Sequence, residues 1–204
     1  MRRQQPAGAP RAARDAGARA GQVRIIGGQW RRRLLRFPPI AGLRPTPDRV
    51  RETLFNWLGQ DLTGRRCLDL FCGSGALAFE ALSRNAREVT MVENQPAACR
   101  ALEAAAQAFA AGQRARLVAG DALQFLRKAG GESSFDIVFL DPPFGMGWVE
   151  RVWPALAPLV ATDGSVYVEA ERAFVPPVGW TEWKAGRAGA VHYGLFRRTR
   201  EGDE

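Results

Sequence analysis

The chain has 204 residues, 46% of them hydrophobic and 25% charged, enough to bury one substantial core with sequence left over for an appendage. Its formal charge of +8 is uneven: residues 1–58 hold thirteen arginines against three acids, a net +10, which leaves residues 59–204 at −2. No run approaches the ~18 apolar residues of a membrane span and no apolar stretch follows the basic start, so neither a membrane protein nor an exported one is expected.

Clustered arginine attracts phosphates and releases their condensed counterions, so the charge pattern suggests a polyanion-binding arm on a neutral body. Solvated surface or an arginine-rich composition would give the same count. Cys67, Cys72 and Cys99 form no CxxC pair, and His192 is the sole histidine. No metal site is expected, and the thiols read as small hydrophobes of a reducing, cytoplasmic compartment.

Residues 1–22 are Ala, Arg, Gly and Pro with little to bury, which predicts a disordered basic tail. Val23–Ile26 and Trp30–Phe37 around Gly27-Gly28 read as two strands of a hairpin that exposes Arg31, Arg32, Arg33 and Arg36. Thr46 is placed to cap a helix with Pro47 at its first position, and Val50, Leu54, Trp57 and Leu58 share one face. About three turns of helix are expected there.

From Gly64 onward, strands at 66–71, 88–93, 115–119 and 135–140 alternate with helices at 75–84, 96–110 and 121–129. A helix at 147–160, a strand at 165–170 and a terminal pair at Trp180–Ala185 and Val191–Arg197 follow. The fold class is α/β: a Rossmann-like, doubly wound, mostly parallel seven-stranded sheet with a terminal antiparallel strand pair, plus the small N-terminal hairpin and helix. The expected organisation is a tail (1–22), a hairpin and helix that bind RNA (23–58) and a catalytic domain (59–204).

In such a sheet the ligand crevice lies at the carboxyl ends of the strands, where successive connections diverge. The first loop there contains Asp69, Gly73 and Gly75, with two glycines that let backbone amides approach a ligand. Gly73-x-Gly75-x-x-Ala78 also fits a dinucleotide fingerprint. Asp69 argues against that reading, because its carboxylate would repel a pyrophosphate yet can pair with the ammonium and sulfonium region of S-adenosylmethionine. A glycine turn with a satisfied Asp is the plainer possibility.

Glu93, about 20 residues on, can accept the hydroxyls of a ribose. In Gly120-Asp121-Ala122, Asp121 can accept an adenine amine or cap the next helix, and both readings stay open.

The apolar strand ending at Leu140 runs into Asp141-Pro142-Pro143-Phe144. An exocyclic base amine is a poor nucleophile because its lone pair is delocalised into the ring. The Asp141 carboxylate and the Pro142 carbonyl can together accept both amine hydrogens and aim the lone pair at a methyl group. Asp141 is also placed to take the released proton. Pro142 and Pro143 stiffen the loop, and Phe144 offers a face on which an extruded base can stack. Otherwise Asp-Pro-Pro merely ends a strand and Phe144 returns to the core.

With these residues in place, the chain resembles the bacterial 16S ribosomal RNA guanine-N2-methyltransferases from Val23 to Arg198. The resemblance rests on Arg24–Trp30, Gly42–Leu58, Leu68–Glu80, the Asp141–Phe144 loop and Tyr167-Val168-Glu169. It implies that Asp69, Gly73, Gly75, Glu93, Asp121 and Ala122 bind S-adenosylmethionine and that Asp141 through Phe144 hold the guanine. It also implies that the block around Arg49 folds over the cofactor, and that a monomer acts on 16S ribosomal RNA within the small subunit. The candidate RNA contacts are Arg24, Arg31, Arg32, Arg33, Arg36 and Arg44.

Two departures from the family pattern bear on RNA contact: arginine at 31–33 where glycine is usual, and Gly145-Met146-Gly147 where basic residues are common.

Three other functions fit parts of the pattern. An adenine-N6 methyltransferase would use the same loop chemistry. A nicotinamide-dependent oxidoreductase fits the glycines but leaves the Asp141 loop unused, and a non-catalytic RNA-binding protein leaves Asp141 and Glu93 unused. His192 and Tyr193 read as packing or surface residues, and Trp153, Trp180 and Trp183 as core or edge aromatics.

Overall fold

The computed structural model describes residues 20–40, 42–129 and 135–199. The expected tail lies outside these except at its end, where Gly21 and Gln22 already belong to a strand. Strand β1 (Gly21–Arg24) pairs antiparallel with β2 (Leu34–Phe37), from Gly21 opposite Phe37 to Arg24 opposite Leu34.

Strand β1 keeps its expected length but lies two residues earlier, β2 is half as long as its hydrophobic run predicts, and Trp30–Arg33 is turn rather than strand. The cause is docking. The Gln29 amide donates to the Ser83 carbonyl at 2.7 Å and the Trp30 amide to Ser83 Oγ at 2.9 Å. Gly28, at φ +71°, passes so close to the Ser83 carbonyl that no side chain fits. The Trp30 ring is thereby driven inward and stacks on Phe109, with centroids 4.9 Å apart.

Helix α1 spans Asp48–Leu58, with Pro47 as its extended N-cap residue instead of its first helical residue. Thr46 makes no capping bond, so that expectation is corrected: its hydroxyl is engaged with acids elsewhere. Val50 and Leu54 are buried as the period requires, while Trp57 and Leu58 are half-buried.

The main sheet is built from β3 (Arg66–Asp69), β4 (Glu88–Glu93), β5 (Ala115–Ala119), β6 (Phe135–Leu140), β7 (Val160–Ala170), β8 (Trp180–Ala188) and β9 (Val191–Arg198). Its order is β5-β4-β3-β6-β7-β9-β8. Neighbours from β5 to β7 are parallel, and β9 is antiparallel to both β7 and β8. Helices α2 (Ala76–Ser83), α3 (Pro96–Ala108), α4 (Ala122–Ala129) and α5 (Trp148–Leu156) supply the crossovers. The seven-stranded, mostly parallel sheet and its terminal pair stand as expected.

Helix α5 stops short of residue 160 because Pro158 cannot continue it, and β7 consequently begins five residues early, with a register irregularity opposite Phe135–Ile137.

The period-two alternation of the strands divides the core. Cys67, Ile137, Phe139 and Tyr167 face the hairpin, α1, α2 and α3, whereas Leu68, Val138, Leu140 and Val166 face α4 and α5. The hairpin and α1 therefore share one core with the sheet, through Val23, Ile25, Trp30, Leu54 and Phe55. No helix of the described residues is long and apolar enough to cross a membrane.

Candidate active site

The chain goes from β3 out to β4 and β5, then returns to place β6 on the other flank of β3. The carboxyl end of β3 is thus the switch point, and the four loops singled out above meet around it.

Asp69 closes β3 and is buried. Burial pushes its carboxyl up to about 7, offset in part by a hydrogen bond with Cys72 and reinforced by the charge of Glu93. The following turn carries Gly73 at φ +53° and Gly75 at φ +80°. At Gly75 a Cβ would stand 2.6 Å from Leu102 Cδ2 and 2.9 Å from Phe79 Cδ2, so only glycine turns the chain tightly enough into α2.

Leu43 lies over Gly73, 3.6 Å from where its Cβ would be, which brings the segment before α1 across the glycine loop. Glu93, at the end of β4, accepts from the Gly73 amide at 2.7 Å through Oε2 and from the Gln95 amide at 2.7 Å through Oε1. One lone pair on each oxygen remains for a ligand. Asp121 Oδ1 accepts from the Gln124 amide at 3.0 Å, so it caps α4, and its other oxygen makes no such bond. Ala122 is buried beside it.

Two carboxylates meet next to Asp69. The parallel register sets Leu140 opposite Val168, so the next residue on each strand, Asp141 and Glu169, are neighbours, and the alternation puts both on the α1 face. Thr46 Oγ1 lies between them, 2.8 Å from Glu169 Oε1 and 3.4 Å from Asp141 Oδ2. Its single hydrogen serves the shorter contact. The Tyr167 hydroxyl donates to the same Glu169 oxygen at 3.0 Å.

Burial first, then the charges of Glu169 and Asp69, hold the Asp141 carboxyl well above the usual carboxylate range. Burial raises Glu169 as well, against the lowering effect of its two hydroxyl partners. Such a group of acids retains protons and attracts cations.

Pro142 is buried, while Pro143 and Phe144 are exposed. Phe144 is 46% exposed, so it does not return to the core. Gly145 and Gly147 adopt φ of +78° and +59°, and the Gly145 amide donates to Glu171 Oε1 at 2.9 Å.

The arginines proposed to hold RNA divide into two groups. Arg33 donates to the Ala108 carbonyl at 2.6 Å and lies over the Phe109 ring, and Arg24 pairs with Asp48 at 3.5 Å. The exposed side chains of Arg31, Arg32, Arg36 and Arg44 make no hydrogen bond or ion pair among the described residues.

Trp153 and Trp180 are core residues. Trp183 is an edge aromatic under the Arg197 guanidinium at 3.4 Å, and Tyr193 packs on Tyr167 and Trp57. All three cysteines are free and buried, and no metal-ligating cluster occurs among the described residues.

Sequence reasoning assigned no site role to Thr46 or Glu169. The usable signal was an acid two residues beyond a buried tyrosine at the carboxyl end of an otherwise apolar strand.

The donor set fits S-adenosylmethionine. Asp69 is a buried carboxyl with no cation beside it, Glu93 is locked with lone pairs left over, and the positive-φ glycines clear a path between them.

Residues 23–197 match the family described as Conserved hypothetical protein 95. The ribosomal RNA small subunit methyltransferase D of Escherichia coli K12 is 43% identical over 189 residues, covering 90% of this chain and 94% of the relative. The protein of the same description from Haemophilus influenzae is 40% identical over 182 residues, covering 87% and 94%. Among solved structures, a putative methyltransferase, yhhF, from Escherichia coli superposes with a TM-score of 0.77 at 43% identity, over 89% of this chain and all of that one.

Proposed function

The chain belongs to the Conserved hypothetical protein 95 family, and on that footing we propose that it transfers a methyl group from S-adenosylmethionine to the exocyclic N2 amine of a guanine in 16S ribosomal RNA. It is an S-adenosylmethionine-dependent methyltransferase of small-subunit ribosomal RNA. The observation that carries the site assignment is the junction of the glycine loop, Glu93 and the Asp141–Phe144 loop around one switch point.

S-adenosylmethionine supplies an electrophilic methyl group on a sulfonium. Asp69 would pair with the cationic amino-acid end, Glu93 would accept the ribose hydroxyls, and Asp121 with Ala122 would border the adenine. Asp141 and the Pro142 carbonyl would take one amine hydrogen each, relocalising the lone pair, while Phe144 stacks on the base. Positioning supplies most of the acceleration, and Asp141 accepts the proton that the methylated nitrogen sheds.

The hairpin and α1 (23–58) serve as the RNA-gripping part and residues 59–204 as the catalytic domain. The protein acts in the cytoplasm as a monomer on the assembled small subunit.

The test is transfer of labelled methyl to small-subunit particles lacking the modification, and to their naked RNA, followed by nucleoside-resolved mass spectrometry. N2-methylguanosine is expected from the particles, with a loss of ~10²–10⁴-fold in Asp141→Ala and S-adenosylmethionine binding retained. N6-methyladenosine, or full activity in Asp141→Ala, would overturn the assignment.

A further inference from the structure

Asp141 has an unusual neighbourhood for a group that must receive a proton. From β7 it faces Glu169, with Tyr167 behind; from β3 it faces Asp69, with Glu93 of β4 beyond; from the segment before α1 it faces the Thr46 hydroxyl. Tyr193 of β9 packs on Tyr167. On the α1 side, Arg51 approaches this group through the Thr46 backbone carbonyl alone, from Nε at 3.1 Å, and spends its charge on Glu80 and Asp48. The ion pairs formed among the described residues leave Asp69, Asp141 and Glu169 out.

Glu169 has little reason to be buried there for stability, because an unpaired carboxylate in a core is costly. Its two hydrogen bonds go to hydroxyls, and one of these, Thr46, is the single group that also touches Asp141.

We propose that Glu169, acting through the Thr46 hydroxyl, is the positioning residue that makes Asp141 a strong enough base to take the proton released by the methylated amine. The proposal rests on the assignment of Asp141 above. In the transfer, the bond from N2 to the methyl carbon forms as the carbon–sulfur bond breaks, its electron pair leaving with sulfur. The nitrogen then carries a positive charge and releases one proton to an Asp141 oxygen.

The Glu169 charge raises the affinity of Asp141 for that proton. Thr46, its hydrogen turned to Glu169, presents a lone pair to Asp141, so a protonated Asp141 finds an acceptor waiting.

The experiment measures single-turnover methyl transfer to unmodified small-subunit particles from about pH 5 to about pH 9, together with S-adenosylmethionine affinity and melting temperature. Glu169→Gln keeps an acceptor for both hydroxyls but removes the charge. It is expected to move the acid limb of the rate profile down by about one pH unit and to lower the plateau rate about tenfold, with cofactor affinity unchanged. Thr46→Val removes the acceptor for a protonated Asp141 and is expected to move the limb in the same direction and lower the plateau, and Thr46→Ser to recover more than half of the lost rate.

A purely structural role would lower the rate or the melting temperature and leave the limb where it is, which overturns the proposal. If Glu169→Gln does not fold, the two Thr46 variants decide, and an unmoved limb in Thr46→Val overturns it equally. Absence of transfer by the wild-type protein would overturn the reading of the site and this proposal with it. An active wild type with an unmoved limb sinks the proposal alone.

Discussion

Two clusters of charge lie on the same face of the sheet, five residues apart in sequence where they meet at Thr46 and Arg51, and they are built on opposite principles. Under the hairpin, Glu80 is fully buried and accepts from both Arg51 and Arg84, at 3.1 and 2.9 Å, and from the Ile26 and Gly27 amides at 2.9 and 2.8 Å. Arg51, itself fully buried, also bonds Asp48, the Arg24 carbonyl and the Thr46 carbonyl. Every charge there has a counter-charge or a dipole.

At the strand ends, Asp69, Asp141 and Glu169 sit together without a cation, and burial holds all three above their ordinary proton affinity. The first arrangement fastens hairpin, α1 and α2 together. The second stores a demand for positive charge, which a cationic cofactor and a released proton satisfy. Balance marks structure here, and imbalance marks chemistry.

The largest expected effect breaks the balanced cluster. Glu80→Ala strands two buried guanidinium groups and two amides, and should cost ~3–5 kcal/mol in denaturant unfolding. Loss of less than about 1 kcal/mol would mean that Glu80 is not the fastening point, and the contrast between the clusters would collapse.

The acid cluster predicts a pH dependence. An unfolded Asp69 releases its proton near 3.8, the folded one near 7. Between those values the folded state binds the extra proton, so stability is greatest at the acid end of the window and falls as pH rises through it. Asp141 and Glu169 act in the same direction. At ~1.36 kcal/mol per unit, Asp69 contributes up to ~4 kcal/mol of this fall. Asp69→Asn should flatten the slope seen in urea unfolding at several pH values. Pairing with the cofactor needs the ionised form, so S-adenosylmethionine affinity should drop about tenfold per unit below about pH 7, and this dependence should vanish in the same variant. A wild-type stability that rises with pH across the window would contradict the imbalance.

The fold was legible because strand alternation and glycine turns are local. The polar ends of the strands beginning at 66, 88 and 135 gave Asp69, Glu93 and Asp141 without any knowledge of pairing. Thr46 and Glu169 were not legible: a Thr before a proline looks like a cap, and only the register between β6 and β7 brings Glu169 beside Asp141. The second hairpin strand was drawn too long because the apolar run includes Trp30, whose ring is buried by docking on Phe109 rather than by pairing. A warning of the balanced cluster was visible in Arg51, set between Val50 and Leu54 on the apolar stripe of α1, and in Glu80, the one charged residue of α2.

The contrast also separates stability from turnover at the exposed rim of the site. Phe144 is half-exposed and fastens nothing, so Phe144→Ala should leave the melting temperature within about a degree while removing the stacking of the target base, ~1–3 kcal/mol in transition-state terms. Single-turnover rates on unmodified particles measure it. A large fall in stability with unchanged transfer would place Phe144 with the structural residues instead.

The smallest expected effect applies the same distinction to single arginines. Arg36 projects from β2 with no partner among the described residues, whereas Arg33 is tied to the Ala108 carbonyl and lies over Phe109. A side chain already satisfied within the protein has less to offer a phosphate. Arg36→Ala should therefore reduce the slope of log affinity against log salt by ~0.7–0.9, the release of about one counterion, with no change in melting temperature. Arg33→Ala should lower the melting temperature by a few degrees, as lost side-chain packing and one hydrogen bond worth ~0.5–1.5 kcal/mol imply, and leave the salt slope nearly unchanged. Filter binding of 16S RNA at four or five salt concentrations reads the slope, and calorimetry reads the stability. Equal slopes for the two variants would show that being tied down in the free protein does not keep an arginine from the RNA, and the hairpin would then present its whole basic surface.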